Sequence, residues 1–260
     1  CFLGLPLIDT QKSDHFELTG NPIRKILLET DQEYDTASIY ITGGSQGANY
    51  LNDVIPKALN KVNHRIRVVH QAGKGSSELV INTYLKNKFD LLVVKDFFDD
   101  PFVEIQKADF VISRSGALSV SEITSLNKGG LYIPLHNSID DHQMHNAKYA
   151  VGVGMGEIFS ESESLDDLID KLNEIIEQRS YLSWQKNSDI DHSQAAEKIY
   201  NHIFNYDSPV PPPAPRADVR ARRHAWRALM LAPPLPPHVR WIDQQLPSSP
   251  PAPLRPCPRW

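Results

Sequence analysis

The sequence is poor in cysteine: two in 260 residues, Cys1 and Cys257, at opposite ends. That number excludes a disulfide framework and a thiolate metal cluster, and it fits a reducing compartment. No apolar run approaches the ~20 residues that would span a bilayer, and no secretory leader pattern is visible. A chain that opens on Cys1 rather than Met reads as part of a longer protein. Positive charge is scarce in the body. Residues 208–260 hold 8 Arg, 2 Asp, no Lys and no Glu, a balance of +6. The formal net charge is −5, so residues 1–207 carry −11. An acidic body argues against a nucleic-acid footprint. The body is also short of proline, because 15 of the 20 prolines fall in residues 208–260. Runs such as "PVPPPAPRA" there cannot sustain helix or ladder hydrogen bonds. That segment reads as a disordered or polyproline-like extension, foreign to the body, or as a basic or SH3-type arm.

Residues 38–160 are richer in pattern. "SIYITGG", "IRVVHQAG", "LLVVKDFF", "DFVISRSGA" and "GLYIPL" are short runs of β-branched and aromatic residues. They read as strands buried on both faces. Between them "NYLNDVIPKALNKV", "SELVINTYLKNK", "PFVEIQKA", "SVSEITSL" and "HQMHNAKYAVGV" mostly space apolar residues three or four apart, as amphipathic helices do. The alternation predicts an α/β fold: a Rossmann-like parallel sheet with helices on both faces. "SLDDLIDKLNEIIEQRSYL" predicts a further helix with Ser164 as N-cap and acids in its first turn, and "SQAAEKIYNHIF" a last one.

In an open parallel sheet, ligands sit beyond the carboxyl ends of the strands. The polar residues gather there. Gly43–Gly47 follows the first predicted strand, His70-Gln71-Ala72-Gly73 the second, Phe97–Asp100 the third, Arg114-Ser115-Gly116 the fourth and His136–Gln143 the fifth. Five polar loops on one rim predict a binding crevice.

"GGSQG" at 43–47 has two readings. As G-x-S-x-G it is a serine-hydrolase nucleophile elbow, with Asp109 or Asp140 and His142 downstream. No glycine-rich oxyanion motif precedes it. As a strand-to-helix turn it cradles phosphate on backbone N–H groups. It lacks the G-x-G-x-x-G of a dinucleotide site, and the second strand ends in His70-Gln71 rather than an acid for ribose. A second turn, Ser113–Ala117, leads into "LSVSE". Glu122 lies about a turn and a half along that helix, where a carboxylate can accept two hydrogen bonds from vicinal hydroxyls or simply favour the helix. His70 and Gln71 either line the crevice or cap their strand.

Six ordered stretches, "TGNPIR" (19–24), "GGSQGA" (43–48), "HQAGKG" (70–75), "FFDD" (97–100), "ADFVISRSGALSVSE" (108–122) and "DDHQMHNA" (140–147), resemble the successive motifs of the MurG family. These are bacterial UDP-N-acetylglucosamine transferases that make lipid II for peptidoglycan. The resemblance covers about residues 16–205. It implies the C-terminal, donor-binding half of a GT-B glycosyltransferase: a linker remnant over 1–24, a UDP-GlcNAc-binding domain over 25–207, and an extension over 208–260 that matches nothing in the family. By motif, Arg24 contacts the donor, Ser45 binds the diphosphate beside Gly44, Gln46 and Gly47, and the Phe98 backbone reads the uracil edge. Ala117, Leu118, Ser119, Val120, Ser121 and Glu122 line the nucleotide pocket, with Glu122 on the ribose. Gln143 holds the sugar hydroxyls, with His142 beside it.

The resemblance implies inverting transfer of GlcNAc from UDP-GlcNAc to lipid I at the cytoplasmic face of the bacterial inner membrane. Lipid I and the membrane surface would be met through an N-terminal domain that carries the base; no catalytic residue, cofactor, metal or nucleic acid is expected in this chain. The alternative is a donor-binding subunit of a two-chain UDP-sugar transferase, inactive alone. Two departures fall on the sugar side and would loosen that side of the pocket without abolishing it. Gly130 stands where the family usually has proline, and "PLHNS" replaces a more proline-rich loop.

Overall fold

In the computed structural model, residues 2–5, 17–23, 35–44, 47–136, 141–184 and 192–204 are described. They belong to the first of two units, Cys1–Asp207; the second, Ser208–Trp260, lies outside the described residues with the calls made on it. The chain opens with a two-residue parallel ladder, β1 (Phe2–Leu3) against β2 (Glu17–Leu18). Strand and helix then alternate: β3 (Ser38–Thr42), α1 (Asn49–Leu59), β4 (Arg67–Gln71), α2 (Ser77–Thr83), β5 (Leu91–Lys95), α3 (Pro101–Lys107), β6 (Phe110–Ser113) and α4 (Ala117–Ser125). They continue as β7 (Gly129–Tyr132), α5 (His142–Gly152), β8 (Gly156–Ile158), α6 (Leu165–Glu177) and α7 (Ala195–Phe204).

β3 to β8 form one parallel sheet in the order β5-β4-β3-β6-β7-β8. The chain builds outward from β3 to one edge, then returns and builds to the other. The sheet's switch point therefore lies between the carboxyl ends of β3 and β6, where Thr42 pairs with Ser113. Alternation along the strands sends side chains to two cores. Ile39, Ile41, Phe110 and Ile112 pack with Leu51 and Ile55 of α1 and Leu168 and Leu172 of α6. Tyr40, Val111 and Tyr132 pack with Phe102 of α3, Val120 and Ile123 of α4, and Ala147 of α5. Each fully buried Leu or Ile contributes about 1.5–3 kcal/mol.

The expected strands all form, with one qualification: β3, β6 and β7 are buried throughout, whereas β5, at the edge, is only half-buried and ends on exposed Lys95. Three further differences have local causes. α2 stops at Thr83, not near Lys88, because Tyr84 turns extended to bury its ring against Phe89, 5.3 Å between centroids. A single 3₁₀ turn, Lys86–Lys88, holds the remainder. β8 was not expected; its three residues are too few to show alternation. Gly130 does not open a gap. A Cβ at 130 would come within 3.1 Å of both the Tyr132 ring and the Val111 carbonyl oxygen, and the Gly130 N–H donates to the Met155 carbonyl at 3.2 Å, a bond that proline would forfeit.

Candidate functional site

A cleft of about 860 Å³ opens at the switch point. The turn after β3 forms one wall through Gly43, Gly44, Gly47 and Ala48. Phe97, Phe98 and Asp99 after β5 form a second, and the first turns of α4 a third.

The turn after β3 is shaped by two left-handed glycines, Gly44 (φ +79°) and Gly47 (φ +73°). A Cβ at Gly47 would fall 2.4 Å from the Ala72 carbonyl oxygen, so only glycine fits there; around Gly44 the space is open. Gly44 N–H donates to Thr42 Oγ1 at 3.1 Å, and Gly47 N–H to the Gly44 carbonyl at 3.3 Å. α1 then starts from Ala48, with no side-chain cap and no acid in its first turn, and Asn49 and Tyr50 line the cleft. An uncapped helix start presents backbone N–H groups and the positive end of the helix dipole. Ser45, Gln46 and Arg24, singled out from sequence, lie outside the described residues.

α4 repeats the arrangement. Its N-cap is Gly116, without a side-chain cap, and its first turn holds no acid. Of the stretch 117–122, Leu118, Ser119 and Glu122 line the cleft. Ala117, Val120 and Ser121 do not. The helical period turns Val120 into the core, and the buried Ser121 hydroxyl donates to the Ala117 carbonyl at 2.8 Å. Ser121 also accepts from Asn21 Nδ2 at 2.8 Å, and Asn21 Nδ2 reaches the Ala117 carbonyl at 3.3 Å. Residues 19–23 thus meet α4 through Asn21. Sequence reasoning passed over that residue, and its place inside a quoted motif was the only signal.

His70 and Gln71 separate cleanly. His70 is fully buried on the α1 side of the sheet. Tyr84 O–H donates to its Nδ1 (2.9 Å), its Nε2 donates to Asn52 Oδ1 (3.2 Å), and Asn52 Nδ2 donates to the Ala72 carbonyl (2.8 Å). Burial pushes its pKa down to about 3, so the ring is neutral. Gln71 faces the cleft. Its Oε1 accepts from Tyr40 O–H (3.3 Å) and Phe98 N–H (3.4 Å), and its Nε2 donates to Thr42 Oγ1 (3.3 Å) and the Gly44 carbonyl (3.2 Å). Tyr40, fully buried, stays protonated: burial raises its pKa, with Glu104 and Glu122 adding in the same direction.

Gln143, in the first turn of α5, lines the cleft; its Oε1 accepts from Leu135 N–H at 3.1 Å. His142 begins α5 and does not line the cleft. Arg114 does line it, with its guanidinium engaged. It donates to the Ile133 carbonyl at 3.0 Å, pairs with the Glu161 carboxylate and lies over the Tyr50 ring. Asp109 sits at the opposite end of the sheet, where its carboxylate accepts from Ser38 N–H at 2.7 Å; burial raises its pKa. It cannot serve as the acid of a triad at residue 45, and Asp140 lies outside the described residues. Among the described residues no group of three or more His, Cys, Asp or Glu could hold a metal ion. No described helix is long and apolar enough to cross a membrane.

A six-stranded parallel sheet whose switch point opens on a cleft flanked by two uncapped helix starts defines a Rossmann-like α/β domain. Residues 38–203 match the glycosyltransferase family 28 C-terminal domain, and the chain belongs to that family. It is 34% identical over 165 residues to the UDP-N-acetylglucosamine–N-acetylmuramyl-(pentapeptide) pyrophosphoryl-undecaprenol N-acetylglucosamine transferase of Aliivibrio salmonicida (strain LFI1238), covering 60% of this chain and 46% of that protein. It is 33% identical over 203 residues to the protein of the same name from Wigglesworthia glossinidia brevipalpis, covering 73% and 55%. The chain spans about half the length of these curated relatives. The crystal structure of Acinetobacter baumannii MurG shares the fold, with a TM-score of 0.62 at 23% identity over 74% of this chain and 58% of that one.

Proposed function

We propose that this chain is the donor-binding half of a glycosyltransferase that moves GlcNAc from UDP-GlcNAc to lipid I, with inversion, to form lipid II. The observation that carries the reading is the cleft: two helices begin at it without caps or acids of their own, and Glu122 stands a turn and a half along one of them. The starts of α1 and α4 take the diphosphate, each worth about 0.3–1 kcal/mol per unit charge near the surface and more when buried. Ser45, Gln46 and Arg24 join them. Glu122 accepts hydrogen bonds from the ribose hydroxyls, the Phe98 backbone meets the uracil edge, and Gln143 meets the sugar hydroxyls. Ala117, Val120 and Ser121 support this wall from behind.

Inversion needs one base to take the acceptor proton while UDP leaves. That base, the lipid acceptor and the peripheral seat at the inner membrane belong to the other half of a full-length protein. On the donor side, the leaving charge meets fixed backbone dipoles that need no reorganisation. We expect no metal requirement there, so a chelator should leave UDP affinity unchanged. Calorimetry with UDP-GlcNAc, UDP, UDP-GalNAc and NAD tests the reading. UDP-GlcNAc and UDP should bind, UDP-GalNAc more weakly, and NAD not at all. Binding of NAD in preference to UDP would overturn it. Transfer to lipid I is tested by adding the N-terminal half of a relative.

A further inference from the structure

We infer that Gln71 is a positioning residue that couples the two ends of the cleft, so that an anion held by the turn after β3 sets the backbone of Phe98 for the base. The inference rests on the reading of the cleft as a nucleoside-diphosphate site. Its basis is a single carboxamide. Gln71 is 5% exposed and is the last residue of β4, next to both β3 and β5. From there its Nε2 reaches the turn at the Gly44 carbonyl (3.2 Å) and at Thr42 Oγ1 (3.3 Å), the same oxygen that accepts Gly44 N–H. Its Oε1 reaches Phe98 N–H on the opposite wall (3.4 Å).

The orientation of the amide is fixed by its neighbours. Phe98 N–H is a donor and the Gly44 carbonyl an acceptor, so a flipped amide would set donor against donor and acceptor against acceptor. Tyr40 holds the junction from below: its hydroxyl donates to Oε1 and its ring stands edge-on to Phe98, 6.1 Å between centroids. A shift of Gly44 when an anion binds beside it pulls on Nε2, and the rigid amide plane passes that movement to Phe98. Hydrogen bonds sharing one buried amide reinforce one another in this way. The long Oε1 contact is the adjustable member of the set.

Inorganic pyrophosphate is the probe, because it can occupy the turn without touching the base wall. In backbone amide NMR of the whole chain, pyrophosphate should shift the Phe98 amide of the wild-type protein together with those of Gly44 and Gly47. In Gln71→Met, similar in size but unable to make these bonds, the glycine amides should still shift and Phe98 should not. Calorimetry should show UDP weakened about tenfold by Gln71→Met, with uridine alone and pyrophosphate alone each changed less than threefold. A residue that merely stabilised the fold would weaken all three ligands equally, and that result overturns the inference. So does a wild-type Phe98 amide that ignores pyrophosphate while the glycines respond, which needs no variant to fold. If the wild-type protein binds neither UDP nor pyrophosphate, the reading of the cleft falls, and the coupling with it.

Discussion

α1 and α6 pack side by side on one face of the sheet and begin in opposite ways. α6 closes its own amino end. The Ser164 hydroxyl accepts from Asp167 N–H at 3.1 Å, the Asp167 carboxylate accepts from Ser164 N–H at 3.0 Å, and Asp166 adds a second acid to the turn. α1 has Ala48 at the cap position and no acid in its first turn. α4, on the other face, resembles α1 in this respect, starting from Gly116. Even the glycine-containing turn after β4, "AGKGSS", is closed, because the Asp96 carboxylate accepts from Gly75 N–H (2.7 Å) and Ser77 N–H (2.9 Å). A capped start spends its donors on the protein; α1 and α4 have donors left for something else, and both lie at the cleft.

The largest expected effect separates the two left-handed glycines of the open turn. Gly47→Ala should abolish measurable UDP binding, because the Cβ meets the Ala72 carbonyl and the left-handed backbone adds about 1–3 kcal/mol of strain. Gly44→Ala, with open space around it, should lose only part of the affinity; equal losses would show that the close approach does not matter.

Next comes the support behind the turn. His70 has its pKa lowered from 6.5 to about 3 in the folded state, so the unfolded chain takes up its proton first. The stabilisation is complete above pH 6.5 and is lost as pH falls towards 3, at about 1.4 kcal/mol per pH unit. Urea unfolding at pH 7 and pH 5 should show a loss of about 2 kcal/mol from this group, and His70→Gln should flatten the dependence. Glu122→Ala should weaken UDP by about 1–3 kcal/mol, the usual loss for a charged hydrogen-bond acceptor; calorimetry showing no change would remove Glu122 from the site.

The smallest effects exchange the two kinds of helix start. Ala48→Asp supplies α1 with a cap at a backbone already extended there (φ −144°, ψ 115°). It should raise thermal stability by about 0.5–2 kcal/mol and weaken UDP by occupying the amides. Ser164→Ala should cost about 1 kcal/mol of stability and leave UDP binding unchanged. If both variants behave alike towards UDP, the contrast between the two helix starts has no functional content.

Much of this was legible in the sequence, for physical reasons. Ser164 followed three residues later by Asp167 is a local pattern, and it folds as one. The runs of β-branched and aromatic residues became β3 and β6 because such residues suit strands buried on both faces. The glycines of "GGSQG" marked the turn, since side chains rarely take positive φ. What stayed hidden depends on residues far apart in the chain. Gln71 at the hub of four bonds, Asn21 bridging Ala117 and Ser121 of α4, and Arg114 locked by Glu161 are set by which parts of the chain become neighbours. No spacing within one segment reports that. The helical period of α4 sorts Glu122 from Ser121 only once its cleft face is known.

Backbone amide hydrogen exchange with and without UDP separates the open helix starts from the capped one. UDP should add protection at the starts of α1 and α4, residues 47–50 and 117–120, and none at the start of α6, residues 165–168. Protection that spares both open starts, or that is equal at all three, would contradict that distinction.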